Sequence, residues 1–236
     1  MKKRRSLKKK RRSFGRWLLY VVLGLFVFSL LQVTLAKWLP VYWTPLMVVR
    51  AIEYRKDASF KTQSKWRPLE AISPQLALAV VASEDNRFMN HRGFDMIEIR
   101  HSIEDGRKGK RLRGASTISQ QTAKNVFLLP SHSWVRKGLE VYYTEAIELI
   151  WGKRRIMEVY LNVIECGKGI YGAEAAAQAF YKKPASQLTE AQAARIAAVL
   201  PNPLKRSVTH PSAYIQKRTQ QIQGLMHKVA PPVFAH

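Results

Sequence analysis

Two adjacent carboxylates, Glu84 and Asp85, close an apolar stretch and open a run dense in ionisable and aromatic groups, among them Arg87, Phe88, His91 and Asp95. Upstream, Ser73 and Pro74 form a helix-start signal, an N-cap followed by proline at the first helical position. Leu76, Val80 and Val81 then supply a buried stripe, so Glu84 is delivered to the end of a packed helix. A carboxylate at such an edge, bordered by Phe88, loses part of its hydration. That disfavours the ionised form and lifts the pKa toward the range where the group accepts a proton near neutral pH. The chemistry on offer is general-base catalysis; the competing reading is a solvated or helix-capping Glu-Asp pair.

A second block runs from Gly114 to Asn125 and places Thr117, Gln121 and Lys124 at spacings of four and three, on one face of a helix. With the helix N-terminus near Ser116, a hydroxyl, an amide and an ammonium would converge on an anion. A solvated polar face is the alternative. The third block, Arg136-Lys137-Gly138-Leu139-Glu140, lies on a long helix opened by Ser133, where Arg136 and Glu140 are also spaced to pair with each other. Glu148, two turns beyond, reads as surface or supporting. Gly167, Gly169 and Gly172 spell G-x-G-x-x-G ahead of a helix, but a dinucleotide fingerprint follows a strand. Here Ile156, Val159, Tyr160 and Val163 recur at helical spacing instead. The glycines are read as a tight helix-to-helix turn packing on Ala173, Ala176 and Ala177.

The elements that must hold these blocks are almost all helical. Periodicity and cap signals predict helices over roughly 74–84, 94–104, 116–127, 133–151, 153–164, 173–182 and 189–200. Thr189 with Gln192 resembles a capping box, and Pro201 and Pro203 are stops. Strand signals are sparse. Residues 39–68, punctuated by Pro40, Pro45 and Pro68, read as a membrane-hugging connector. Residues 206–236 have weak helical character around Ala213 to Val229 and little chemical content.

Of the 236 residues, 47% are apolar, enough for one packed domain plus an anchor rather than a disordered chain. The net charge is +24, and residues 1–16 hold ten Lys or Arg and no acid, which leaves +14 on the remainder. Leu18 to Ala36 then runs for 19 residues without a charge. As a helix this spans roughly 28 Å, close to the hydrocarbon thickness of a bilayer. Trp17 and Tyr20 at one end, and Trp38, Tyr42 and Trp43 at the other, suit the headgroup zones. A signal peptide cleaved at Thr34-Leu35-Ala36 is the alternative, disfavoured by the length of the run.

Residues 1–16 are therefore read as a basic cytoplasmic tail, 17–38 as a transmembrane anchor, 39–68 as the connector, 69–205 as the main domain and 206–236 as its C-terminal extension. The positive-inside rule puts everything after the anchor on the far side of the membrane. That argues against nucleic acid as a partner and favours anionic, lipid-linked ligands. Cys166 is the sole cysteine, which excludes an intrachain disulfide and a cysteine-based zinc site.

Taken in order, these blocks resemble the membrane-anchored peptidoglycan glycosyltransferases, specifically the monofunctional biosynthetic peptidoglycan transglycosylases of Gram-negative bacteria. The resemblance covers roughly residues 72–203. It rests on Glu84-Asp85-x-x-Phe88-x-x-His91-x-Gly93-Phe94-Asp95, Gly114-Ala115-Ser116-Thr117-Ile118-x-x-Gln121, Arg136-Lys137-x-x-Glu140, and Tyr160-Leu161-Asn162 with the glycine turn. It implies a mainly α, lysozyme-like fold with two lobes bordering a cleft, preceded by a single N-terminal transmembrane helix, and makes residues 69–205 the glycosyltransferase domain. Penicillin-binding relatives carry a second, transpeptidase domain. This chain is too short for one and has no Ser-x-x-Lys placed as a nucleophile.

The resemblance implies lipid II as substrate, a disaccharide-pentapeptide joined through pyrophosphate to an undecaprenyl tail. By that likeness Glu84 is the base for the acceptor hydroxyl. Glu140 is the second catalytic carboxylate, holding a divalent cation, orienting the donor or assisting the leaving group. Lys124 and Arg136, with Lys137 nearby, match positions that stabilise pyrophosphate. Asp85, Phe88, His91, Ser116, Thr117, Gln121 and Asn125 match cleft-lining or supporting positions. Mg²⁺ or Mn²⁺ bridging pyrophosphate oxygens is the implied cofactor.

His132 stands where that family often has Arg, which makes a pyrophosphate contact there weaker or pH-sensitive. Implied partners are lipid II, the growing glycan strand, the bacterial inner membrane with the catalytic domain on its periplasmic side, and cell-division or cell-wall synthesis proteins. Two other classes compete. A membrane-anchored glycan-cleaving lysozyme-like enzyme would also use two carboxylates, but has no pyrophosphate for the cationic stripe to stabilise. A non-catalytic cell-wall scaffold would not need Glu84 and Glu140.

Overall fold

The computed structural model describes residues 2–109, 116–131 and 133–234, with side chains from Gly15 onward. The chain forms two compact units, Met1–Leu39 and Pro40–His236. The first is one helix, α1 (Lys2–Ala36), which continues through the basic segment. Its Gly15–Ala36 stretch, 22 residues, is among the described residues the one helix long and apolar enough to cross a membrane.

The second unit is mostly helical. Its elements begin with α2 (Pro45–Glu53), the short strand β1 (Gln63–Ser64), α3 (Pro74–Glu84), α4 (Met96–Arg107) and α5 (Ile118–Phe127). They continue with α6 (Trp134–Ile150), α7 (Gly152–Val163), β2 (Glu165–Gly167), β3 (Ile170–Tyr171), α8 (Gly172–Tyr181), α9 (Glu190–Val199) and α10 (Ala213–Met226). Two helical groups make the core. In one, α3 packs on α9 and α10. Leu76, Ala79 and Val80 are buried on α3, and the buried residues of α9 are four alanines, Ala193, Ala194, Ala197 and Ala198, with Ile196 and Val199. In the other, α5 lies against α6 and α7, and α7 against α8.

Local chemistry explains the helix starts. Thr117 begins α5 with a full capping box, its side chain accepting from the Gln120 amide while the Gln120 side chain caps the Thr117 amide. Thr189 and Gln192 repeat the device at α9, and Ser133 caps α6. Asp95 starts α4 by accepting from the Ile97 and Glu98 amides at 3.0 and 3.1 Å, which places the start later than the sequence suggested. Ser73 precedes α3 as expected, but its hydroxyl is not a cap. It donates to the Leu188 carbonyl at 2.8 Å and ties the start of α3 to the chain leading into α9.

Two segments differ from the sequence reading. Residues 39–68 contain α2, capped by Thr44 with Met47 fully buried, and β1. The glycine segment is a β-hairpin rather than a helix-to-helix turn. β3 pairs antiparallel with β2 and parallel with β1, giving the order β1-β3-β2. Gly169 and Gly172 have φ of +72° and +78°, in the left-handed region where a side chain is strained. A Cβ on Gly172 would also collide with the Asn162 carbonyl. Asn162 is itself a clamp: its side chain accepts from the Arg67 amide at 2.7 Å and donates to the Arg67 carbonyl at 2.8 Å. The Arg67 guanidinium reaches the buried Glu174 on α8 at 3.0 Å.

Gly172→Ala is expected to lower stability by more than about 2 kcal/mol, combining backbone strain with a steric clash. Thermal unfolding of the variant checks this, and an unchanged melting temperature would mean the turn is slack.

Candidate active site

The second unit contains a groove of about 1340 Å³, and Glu84, Lys124, Arg136 and Arg218 all line it. They come from the end of α3, the last turn of α5, the first turn of α6 and the middle of α10. Packing of each helix group is thus what brings residues far apart in the chain to one opening.

Glu84 is the last residue of α3 and is partly buried. Its Oε2 accepts from Gln121 Nε2 at 3.1 Å. Burial raises its pKa above the usual glutamate value, the hydrogen bond from Gln121 and the positive charges of Arg218 and Arg206 oppose the rise, and neighbouring Asp85 adds to it. Arg218 also donates to the Ser83 carbonyl at 3.4 Å, and Arg206 to the Ala198 carbonyl at 3.2 Å. The Gln121 amide is held from behind by the fully buried Tyr160, whose hydroxyl donates to Gln121 Oε1 at 3.3 Å.

Asp85 does something different from its neighbour. The helix ends at this residue, which adopts an extended φ of −160°. Its Oδ2 accepts from the Ile118 amide at 2.9 Å, and both carboxylate oxygens face His91 Nε2, at 2.9 and 3.0 Å. Asp85 therefore docks the N-terminus of α5, where free amides and the helix dipole favour a carboxylate. Thr117 reinforces the joint by donating to the Gly93 carbonyl at 2.5 Å.

The cations gather around one acid. On α6, Arg136 donates to Glu140 Oε2 at 2.9 Å and Lys137 to Glu140 Oε1 at 2.6 Å. Glu140 is buried. Lys124 stands within the field of this trio. Crowding by the groove walls strips part of its hydration and lowers its pKa below the ordinary lysine value; Glu140 opposes that, while Arg136 and Lys137 reinforce it. The residue as a whole is nonetheless exposed. Lys124, Arg136 and Lys137 against Glu140 leave a local excess of positive charge around Lys124 and Arg136.

A family model described as transglycosylase matches residues 52–227. The chain belongs to the transglycosylase family. Proteins named biosynthetic peptidoglycan transglycosylase are similar to it over most of its length. The one from Bacteroides thetaiotaomicron is 54% identical, with 88% of this chain and 85% of the relative covered. The one from Caulobacter vibrioides is 50% identical with 90% of each covered, and one from Yersinia pestis 46% identical with 95% of each covered. The mainly α architecture with one N-terminal apolar helix is thus the lysozyme-like fold of the transglycosylase domain.

Within this transglycosylase-family groove the residues expected from sequence divide into two sets. Glu84, Ser116, Thr117, Gln121, Lys124, Asn125 and Arg136 line it, as does Asp85. Of these, Asp85 and Thr117 have their side chains committed to the α3–α5 joint, so direct substrate binding by them finds no support in the geometry. Phe88, His91, Lys137 and Glu140 lie outside the lining. Phe88 is fully buried beneath the Lys153 ammonium, 4.5 Å from its ring. His91 orients Asp85. Glu140 is held behind Arg136 and Lys137 rather than presented to the groove, because two cations within reach outcompete exposure for a buried carboxylate. Gly114, Ala115 and His132 fall outside the described residues.

Sequence reasoning missed Arg206, Arg218 and the hydroxyl of Tyr160. A tyrosine inside an apolar helical stripe is a usable signal, since a buried phenol needs a partner. The arginines carry none, being two among the many basic residues of a polar tail.

Because the folded protein holds the Glu84 proton more tightly than the unfolded chain, stability falls as pH rises from the ordinary glutamate value through the raised one. Glu84→Gln is therefore expected to melt at or above the wild-type temperature at pH 7, with the advantage vanishing below about pH 4. A clear loss of melting temperature at pH 7 would show that the ionised carboxylate is a net stabiliser.

Proposed function

We propose that this protein polymerises peptidoglycan glycan strands from lipid II at the inner membrane, as the names of its relatives suggest. The observation that carries the reading is the shared groove: a proton acceptor, Glu84, opens into the same space as Lys124 and Arg136. Transfer of a sugar from a lipid pyrophosphate requires both. In the reaction, the acceptor's 4-hydroxyl oxygen bonds to the anomeric carbon of the donor, its proton passes to Glu84, and the bond from that carbon to the pyrophosphate oxygen breaks. Attack from the face opposite the leaving group inverts α to β. Negative charge grows on the departing undecaprenyl pyrophosphate, where preoriented cations act most strongly.

Each residue then has a physical task. The raised pKa of Glu84 makes it a better base, and Gln121 with the C-terminal arginines keeps enough of it ionised. Lys124 and Arg136 receive the pyrophosphate, and Glu140 fixes the direction of Arg136 and Lys137. Asn125 and Ser116 complete the wall. A divalent cation fits Glu140 poorly, since both of its oxygens already accept from cations, and among the described residues no group of three His, Cys, Asp or Glu is arranged to hold a metal. No step here runs through a metal. Helix α1 tethers the enzyme to the bilayer that carries its substrate, and the basic residues at its start favour the cytoplasmic side, leaving residues 40–236 in the periplasm. Cell-division or cell-wall synthesis proteins are the partners such a tethered polymerase would meet.

A glycan-cleaving enzyme would also use two carboxylates, but has no pyrophosphate for Lys124 and Arg136, which line the groove, to stabilise. Incubating the full chain with lipid II, and separately with finished glycan strands, separates the two reactions. Polymer is expected from lipid II. Glu84→Gln is expected to reduce its formation by on the order of 10³-fold, and Lys124→Ala by on the order of 10²-fold through kcat. Near-normal turnover in Glu84→Gln, or cleavage of finished strands without polymerisation, would overturn the reading.

A further inference from the structure

The chain Tyr160–Gln121–Glu84 has a direction that follows from donor chemistry. A carboxamide presents an oxygen on one side and an amino group on the other, and nothing intrinsic to Gln121 decides which faces Glu84. Tyr160 decides it. Its ring is fully buried within α7, and among the described residues its hydroxyl makes one hydrogen bond, to Gln121 Oε1 at 3.3 Å. The hydroxyl proton has to be donated, because leaving it unpaired in the core is costly. Donation to Oε1 turns Nε2 toward Glu84 Oε2, at 3.1 Å.

We propose that the Tyr160 hydroxyl is a positioning residue of the transfer reaction, locking the Gln121 amide so that it donates to Glu84 and holds that carboxylate ionised and aimed into the groove. Tyr160 does not line the groove, so it acts only through Gln121. Deep burial also pushes the Tyr160 phenol well above its usual pKa, so it stays a donor across the working pH range. The groups that set the Glu84 charge are then few. Asp85 adjoins it on α3, Gln121 and Lys124 face it from α5, Tyr160 stands behind Gln121 on α7, and Arg206 and Arg218 approach from the C-terminal segment. Of these, Gln121 is the one whose sign can reverse by rotation. Without the phenol it can turn Oε1 toward the carboxylate, replacing an attraction with a repulsion.

The proposal rests on Glu84 being the base, and the test keeps the two apart. The pH dependence of kcat/KM for lipid II is measured for the full-length wild type and for Tyr160→Phe, Gln121→Met and the double variant, with melting temperatures as a folding control. Tyr160→Phe keeps the ring and loses only the hydroxyl. It is expected to move the acidic limb to higher pH, with a loss on the order of three- to tenfold on that limb and no more than about twofold at the plateau, the scale of one hydrogen bond to a charged group. Gln121→Met is expected to move the limb in the same direction, and Tyr160→Phe to add nothing in that background. A limb that stays in place in both single variants, a loss uniform across pH, or additive effects in the double variant would overturn the relay. Activity surviving in Glu84→Gln would instead overturn the assignment of the base.

Discussion

The docking of the α5 N-terminus onto the end of α3 is the constraint on which the site depends. Asp85 accepts from the Ile118 amide, Thr117 donates to the Gly93 carbonyl, and Gln121, one turn into α5, donates to Glu84. The first two bonds fix where α5 begins, and the helical repeat then sets where Gln121 and Lys124 fall. Loosening the joint would displace the group beside the base and the cation at the leaving-group end together. A buried carboxylate at a helix N-terminus suits this task because it satisfies amides that have no partner within the helix. It also explains why two consecutive acids have separate functions. The helix ends between them, and the extended backbone of Asp85 turns its side chain into the joint while Glu84 keeps the direction of α3.

Electrostatics make the groove a balance rather than a simple positive patch. Burial makes Glu84 reluctant to ionise, and Arg206 and Arg218 pull it back without pairing with it directly. A carboxylate neutralised by a close salt bridge would be a weak base, and one left alone in a buried site would be protonated. The arrangement lies between these limits. At the other end, Glu140 holds two cations in place but cannot cancel them together with Lys124, so a local surplus of positive charge stands around Lys124 and Arg136, the two that line the groove. A buried acid that organises cations is a supporting element, and it accounts for the motif spacing Arg136-Lys137-x-x-Glu140 as well as a direct chemical role does.

Much of the helical scaffold was legible because its signals are local. Pro74 and the Thr189–Gln192 box mark helix starts by side-chain chemistry within four residues, and the stripe Leu76, Val80, Val81 shows its periodicity directly. The hairpin was not legible, since strands of two and three residues carry no alternation to detect and the glycines that permit it also fit a helix-to-helix turn. The burial of α2 and the contribution of α10 were hidden for a different reason: each depends on a partner far along the chain. At the site, residue type and spacing marked Glu84, Lys124 and Gln121 as candidates beside solvated or capping alternatives, and the family resemblance was needed to add Arg136 and to put all four in one cleft, where they line a single groove. The pairing of Glu140 with Arg136 was legible from their spacing of four, whereas the roles of Asp85, Thr117 and His91 were not, because a side chain able to bind a ligand is equally able to bind its neighbours in the fold, and only geometry separates the two.

The claim that the base is a partly desolvated Glu84 can be measured on the carboxyl group itself. Selective ¹³C labelling of glutamate, with Glu84→Gln used to assign the resonance, gives the titration of this one side chain in the intact protein. It can be set beside the acidic limb of kcat/KM for lipid II polymerisation. The expected result is a midpoint above that of an ordinary glutamate, coinciding with the kinetic limb. A midpoint at or below the ordinary value, or a kinetic limb that ignores it, would contradict the assignment of Glu84 as the group that takes the proton.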